Sequence, residues 1–188
     1  MALLVTGLVV FLGIHLVPAF PQSRQRLIAR WGEGRFKALF SIASAVGLAL
    51  IVIGYMQAPA TGRVFAPSAA AIAVAPLAVS VAFILFAAAN MRGYIRHTLQ
   101  HPMLLGLGLW ASVHLLANGD LRGTVLFGAF LAYAVVDLAS AIGRHAVKAF
   151  DPSFKYDVMA VVGGSVIAVG VMALHRVLFG VPVIAFGP

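Results

Sequence analysis

Cysteine is missing from this 188-residue chain, which excludes disulfides, thiolate metal ligands and a cysteine nucleophile while saying little about compartment. Charge is scarce too. Only 10% of residues are Asp, Glu, Lys or Arg and 62% are hydrophobic, against roughly a quarter charged and about half apolar in a soluble domain. No stretch between the apolar runs is long enough to build a soluble core, no internal repeat stands out, and there is no room for a separate nucleotide-binding or catalytic domain. Any activity must therefore come from within or beside the membrane. The N-terminus lacks the basic region and small-residue cleavage site of a secretory signal, so its first apolar run reads as a retained span, with the mature protein starting near Met1.

What is present is apolar length. Mean hydropathy is +1.04, and several runs reach or approach the roughly 20 residues that cross a hydrocarbon core. The expected spans are residues 3–20, 37–56, 69–90, 103–118, 123–142 and 158–178. In lipid the backbone must be satisfied internally, so these runs are helices even where glycine and valine would suggest strand. The fold class is all-α: a single polytopic transmembrane helical bundle over residues 1–188, with about six spans and short loops. The fourth span is short and must start early or accommodate mismatch. Glycines at small-residue spacing, Gly106 and Gly108, Gly119 and Gly123, and Gly163, Gly164 and Gly170, fit close helix packing better than a pore.

The net charge of +8 does not point to nucleic acid, because the basic residues sit in short loops. Arg24, Arg26, Arg30, Arg35, Lys37, Arg92, Arg96, Arg144, Lys148 and Lys155 fall on one side, and Arg63, Arg122 and Arg176 on the other. By the positive-inside rule the first group is cytoplasmic and both termini lie outside, which in a bacterial inner membrane is the periplasm. Miscounting one span would put the termini on opposite sides.

Ionisable side chains at membrane depth are functional candidates by default. His15 lies about two turns inside the first span, with Gly13 beside it and Pro18 just beyond. His114 lies well inside the fourth, with Trp110 and Asn118 one turn to either side. His101 precedes Pro102, a residue suited to the first turn of a helix. His97 is four residues earlier, but His-Thr-Leu-Gln-His lacks the glutamate of a zinc-peptidase helix, and His97 reads as a loop residue. These imidazoles suit either interhelical hydrogen bonding or a bound cofactor, most plausibly haem. His101 and His114 are about 220° apart around an ideal helix, so one helix cannot aim both at one iron. An axial pair would be His15 with His101, or His15 with His114. Asp137, one turn after Tyr133, either holds a histidine's second nitrogen or pairs with Arg144. Arg96 is a candidate for an anionic group such as a propionate, although topology alone explains it. Asn118-Gly119-Asp120 reads first as a helix exit and turn. His145 and His175 read as interfacial.

The motifs Gly13-Ile14-His15-Leu16-Val17-Pro18 and Gln100-His101-Pro102-Met103, with the run Leu109-Trp110-Ala111-Ser112-Val113-His114-Leu115-Leu116-Ala117-Asn118-Gly119-Asp120, resemble the NnrU family of bacterial integral membrane proteins. The later Leu126-Phe127-Gly128 and Asp137 fit as well, and the resemblance covers nearly the whole chain. It implies an association with denitrification, in the expression or function of nitrite and nitric oxide reductases. The family is also similar to the plastid 15-cis-zeta-carotene isomerase, a membrane enzyme with haem b on two histidines. That implies haem b here, with His15 as one ligand and His114 or His101 as the other. Three functions follow: a haem-binding accessory or sensor protein for denitrification, a haem-dependent cis–trans isomerase of a carotenoid-like polyene, or a haem-free scaffold for a respiratory complex. The implied partners are membrane lipid, a lipid-soluble ligand and respiratory membrane proteins, with no nucleic acid.

Overall fold

Helices account for every regular element among the described residues of the computed structural model, which are 1–59, 62–147, 149–180 and 183. In chain order they are α1 (Ala2–Leu16), a 3₁₀ turn (Val17–Ala19), α2 (Pro21–Trp31), α3 (Glu33–Gln57), α4 (Ala69–Ala88), α5 (Tyr94–Leu99), α6 (Pro102–Asn118), α7 (Leu121–Gly143) and α8 (Phe154–Phe179). Five stretches are long and apolar enough to cross a membrane: Ala2–Ala19, α3, α4, α7 and α8. The shorter α6 has 17 residues and covers roughly 25 Å at 1.5 Å per residue. It occupies the fourth expected span. Lys148, one of the basic loop residues, lies outside the described residues.

The helices fall into two units, each discontinuous in sequence: Met1–Ala66 with Asn118–Arg144, and Pro67–Ala117 with His145–Pro188. The first holds α1, α2, α3 and α7. Its centre is the α1–α3 crossing, where Leu4, Leu8 and Ile51 are buried together. Glycines set that distance. A Cβ on Gly7 would lie 2.6 Å from the Ile51 backbone nitrogen, and one on Gly47 would lie 2.8 Å from that of Phe11. Gly54 is equally closed in by the backbone of Leu3 and Leu4. Small side chains here let two backbones approach in an environment where packing, not water exclusion, drives helix association.

In the second unit α8 packs on α4, with Ala82, Ala160 and Ala168 fully buried. A Cβ on Gly164 would overlap the backbone of Ile84 at 2.5 Å. Gly106 brings α6 against α4 in the same way, 2.9 Å from the Ala82 carbonyl oxygen. Gly163 and Gly170 face open space instead, so only part of the glycine pattern is packing.

Helix ends follow local chemistry. Ser68 caps α4 through the Ala71 N–H at 3.3 Å. Asp120 caps α7 through the Gly123 N–H at 2.5 Å, as short oxygen-bearing side chains do at this position. Between α6 and α7, Gly119 supplies the positive φ of +70° that ends one helix before the next begins. Two helices were not expected. The basic loop after the first span is largely α2, and residues 94–99 form α5.

Candidate functional site

In the first unit, His15 occupies the last turn of α1. Its Nδ1 is 2.7 Å from the Phe11 carbonyl oxygen. A carbonyl can only accept, so Nδ1 carries the proton, and the tautomer that leaves Nε2 as the lone-pair nitrogen is the one this bond selects. The ring is held among aromatics, with Phe11 at 4.2 Å, Phe40 edge-on at 5.1 Å and Tyr133 perpendicular at 6.5 Å between centroids. No other histidine belongs to this unit.

A polar ladder runs along α7 beside it. Tyr133 donates to Asp137 Oδ2 at 3.0 Å, and Asp137 Oδ1 lies 4.0 Å from Arg144 Nη2. Arg144 Nε donates to Ser140 Oγ at 3.1 Å, and the Ser140 hydroxyl donates to the Ala19 carbonyl at 3.1 Å. The spacings of four, three and four residues keep these groups on one helix face. Of the two roles open to Asp137 in the sequence, the geometry gives it to Tyr133 and Arg144. The second nitrogen of His15 is taken by its own helix.

In the second unit, His114 repeats the local arrangement of His15. Its Nδ1 is 2.8 Å from the Trp110 carbonyl oxygen, and its ring lies 5.0 Å from the Trp110 ring. His114, Trp110 and Asn118 have further partners as well.

His101 is built differently. It immediately precedes α6, and its carbonyl accepts from Leu104 and Leu105 N–H at 3.1 Å. Before it, Gln100 has φ +61° and ψ −45°, and the His101 N–H reaches the Leu99 carbonyl at 2.6 Å. That is a γ-turn of the rare, strained kind, and it breaks the chain between α5 and α6. His97 is therefore in the last turn of α5, not in a loop, and on a different helix from the one His101 starts. The imidazole Nε2 of His101 is buried with no hydrogen-bond partner among the described residues.

The turn hangs from an anchor that the sequence did not mark. Asp157, in the first turn of α8, is 7% exposed. Its carboxylate accepts from the Tyr94 N–H at 2.8 Å and the Ile95 N–H at 2.9 Å, capping α5. Gly93 leaves the space, since a Cβ there would overlap Asp157 Oδ1. Ser153 N–H adds a bond to the Arg92 carbonyl at 2.9 Å. Arg96 lies over the Phe150 ring at 5.1 Å, and His97 is edge-on to it at 6.1 Å. One signal was available: with only five acidic residues in the chain, each beside a span is a candidate anchor. Among the described residues no three His, Cys, Asp or Glu side chains cluster as a metal site.

These features define an integral membrane protein of apolar helices that carries histidines with prepared or unsatisfied ring nitrogens. The chain belongs to the NnrU family, whose model, described as NnrU protein, matches residues 3–183. No curated protein and no solved structure matches it.

Proposed function

We propose that this protein is a haem-binding accessory or sensor protein of denitrification in the bacterial inner membrane, with its basic loops cytoplasmic. Membership of the NnrU family supports the denitrification link. The observation that carries the haem reading is the buried, unpartnered Nε2 of His101. A buried polar atom without a partner costs about 1–3 kcal/mol, and a strained turn holds it there. Such a nitrogen would be able to hold a metal such as the iron of a haem. His15 supplies the complementary feature, an Nδ1–H fixed by a carbonyl so that Nε2 is the free donor atom, the arrangement that orients metal-ligating imidazoles. The donor chemistry of His15 and that of His101, each taken within its own unit, therefore fits a haem b ligand. His114 has the same fixed Nδ1 and is the competing second ligand.

A haem held by these histidines would supply electron transfer or redox sensing. The chain's own groups do the rest. Phe11 and Phe40 pack against the His15 ring and limit its rotation, and the Asp157 anchor holds the turn that precedes His101. The scaffold reading makes histidines into interhelical hydrogen-bond partners. It is less favoured because, among the described residues, the hydrogen bond of His15 stays within α1.

The test is the optical spectrum of the detergent-purified protein, oxidised and dithionite-reduced, beside His15→Ala, His101→Ala and His114→Ala. Sharp reduced α and β bands, lost in His15→Ala and His101→Ala and kept in His114→Ala, are expected. Absence of stoichiometric haem after haem-replete expression overturns the proposal and leaves the scaffold.

A further inference from the structure

The corner where α1 ends and α3 begins has a second feature, which shares only Phe40 with the haem reading. Pro18 and Pro21 bracket the exit from the first span, since neither can donate to an ongoing helix and Pro21 suits a first turn. The chain then runs as α2 before α3 re-enters the apolar region, so α2 has to lie at the membrane surface. None of its residues is fully buried. Arg24, Leu27 and Ile28 form its half-buried side, while Arg26 and Arg30 are exposed. Trp31 is 39% exposed, an amphipathic ring of the kind found at headgroup level, and Phe20 is 56% exposed. Between residues 20 and 37 five cations face a single carboxylate, Glu33, which pairs with Lys37 at 2.9 Å.

Beside this helix is a groove of about 330 Å³ lined by Pro18, Phe36, Lys37, Phe40 and Ser41. Pro18, Phe36 and Phe40 make most of its lining apolar, Lys37 adds an ammonium to it, and the Arg24 guanidinium sits 5.8 Å over the Phe36 ring. An apolar groove with cations beside it matches a molecule with one anionic end and a hydrocarbon body.

We propose that this corner is a binding site for one anionic phospholipid. Its phosphate rests between Arg24 and Lys37, and the start of an acyl chain lies against Pro18, Phe36 and Phe40. Arg26 and Arg30 extend the positive field outward along α2. Each basic residue near an anionic lipid surface contributes about fivefold in affinity, so losing two removes about 25-fold.

The experiment is native mass spectrometry of the full-length protein in detergent, titrated with phosphatidylglycerol or with phosphatidylcholine of the same chains. The wild type should retain one phosphatidylglycerol in strong preference to phosphatidylcholine. Arg24→Gln with Lys37→Gln should lose about 25-fold of that affinity. Ser41→Trp keeps every charge and fills the groove from an exposed position on α3, so it should abolish the bound lipid. Arg63→Gln, away from the corner in sequence, should behave as wild type. Equal retention of the two lipids, an unchanged preference in Ser41→Trp, or an equal loss in Arg63→Gln would each overturn the proposal.

Discussion

Replacing Asp157 by alanine tests the anchor under the His101 turn. The carboxylate is 7% exposed and accepts two backbone N–H groups, at 2.8 and 2.9 Å. Removing it leaves the Tyr94 and Ile95 N–H groups without acceptors in a site where little water replaces the lost oxygens. Each stranded donor costs about 1–3 kcal/mol, so the segment should open more easily by roughly 2–6 kcal/mol. At 1.4 kcal/mol per factor of ten, that is between about 30-fold and about 20,000-fold in the local opening equilibrium. Hydrogen exchange read by mass spectrometry on the detergent-solubilised protein is the assay. Peptides covering residues 93–100 should exchange faster by that factor, while peptides from α1 and α3 should not change. Asp157→Asn, which keeps one acceptor oxygen but adds a donor facing the second N–H, should fall between wild type and alanine. Unchanged exchange at residues 94 and 95 in Asp157→Ala would refute the claim that this carboxylate holds α5.

Three further outcomes are expected. His101→Leu should raise the thermal stability of the haem-free protein by about 1–3 kcal/mol, because it removes a buried unsatisfied nitrogen. The same change should abolish the low-spin spectrum, so a stability gain without a loss of haem would separate the two claims. Gly7→Ala should destabilise by about 1–3 kcal/mol through overpacking against the Ile51 backbone, whereas Gly163→Ala, with nothing within 4 Å of its added methyl, should be neutral or stabilise by up to about 1 kcal/mol. Thermal melts of the two variants decide. Gln100→Gly should stabilise by about 1 kcal/mol, since glycine tolerates the positive φ that glutamine strains to adopt; a clear loss of melting temperature would show that the glutamine side chain matters more than its backbone.

The spans were legible in the sequence because an apolar run of membrane length leaves the backbone few alternatives, and the short fourth run was visible as short. The surface elements were not. In α2 the cation Arg24 shares the half-buried side with Leu27 and Ile28, which blurs the amphipathic pattern of an eleven-residue helix. Residues 94–99 are too short to show a period at all. The break before His101 rests on a glutamine at φ +61°, and no propensity rule marks glutamine for that conformation. Asp137 had two equally good partners on paper, and only the distances to Tyr133 and Arg144 separate them. Gly47 and Gly54 stand seven apart on α3, a spacing that puts both on one face. They proved tighter than several of the glycines that the sequence brought forward.

The interleaving of the two units in the chain has a consequence for biosynthesis. The α1–α3 crossing joins helices that emerge early and almost in succession, so it can close while the ribosome is still working. The main contact of the other unit joins α4 to α8, with three helices inserted between them. Until α8 arrives, α6 can reach α4 at Ala82 through Gly106, but the face of α4 at Ile84 that Gly164 will close on waits for its partner. Non-local pairings of this kind form late and leave intermediates exposed. A lesion in α8 should therefore strand the unit that carries His101 half-built in the bilayer, and membrane proteases would meet it as a nascent-chain defect.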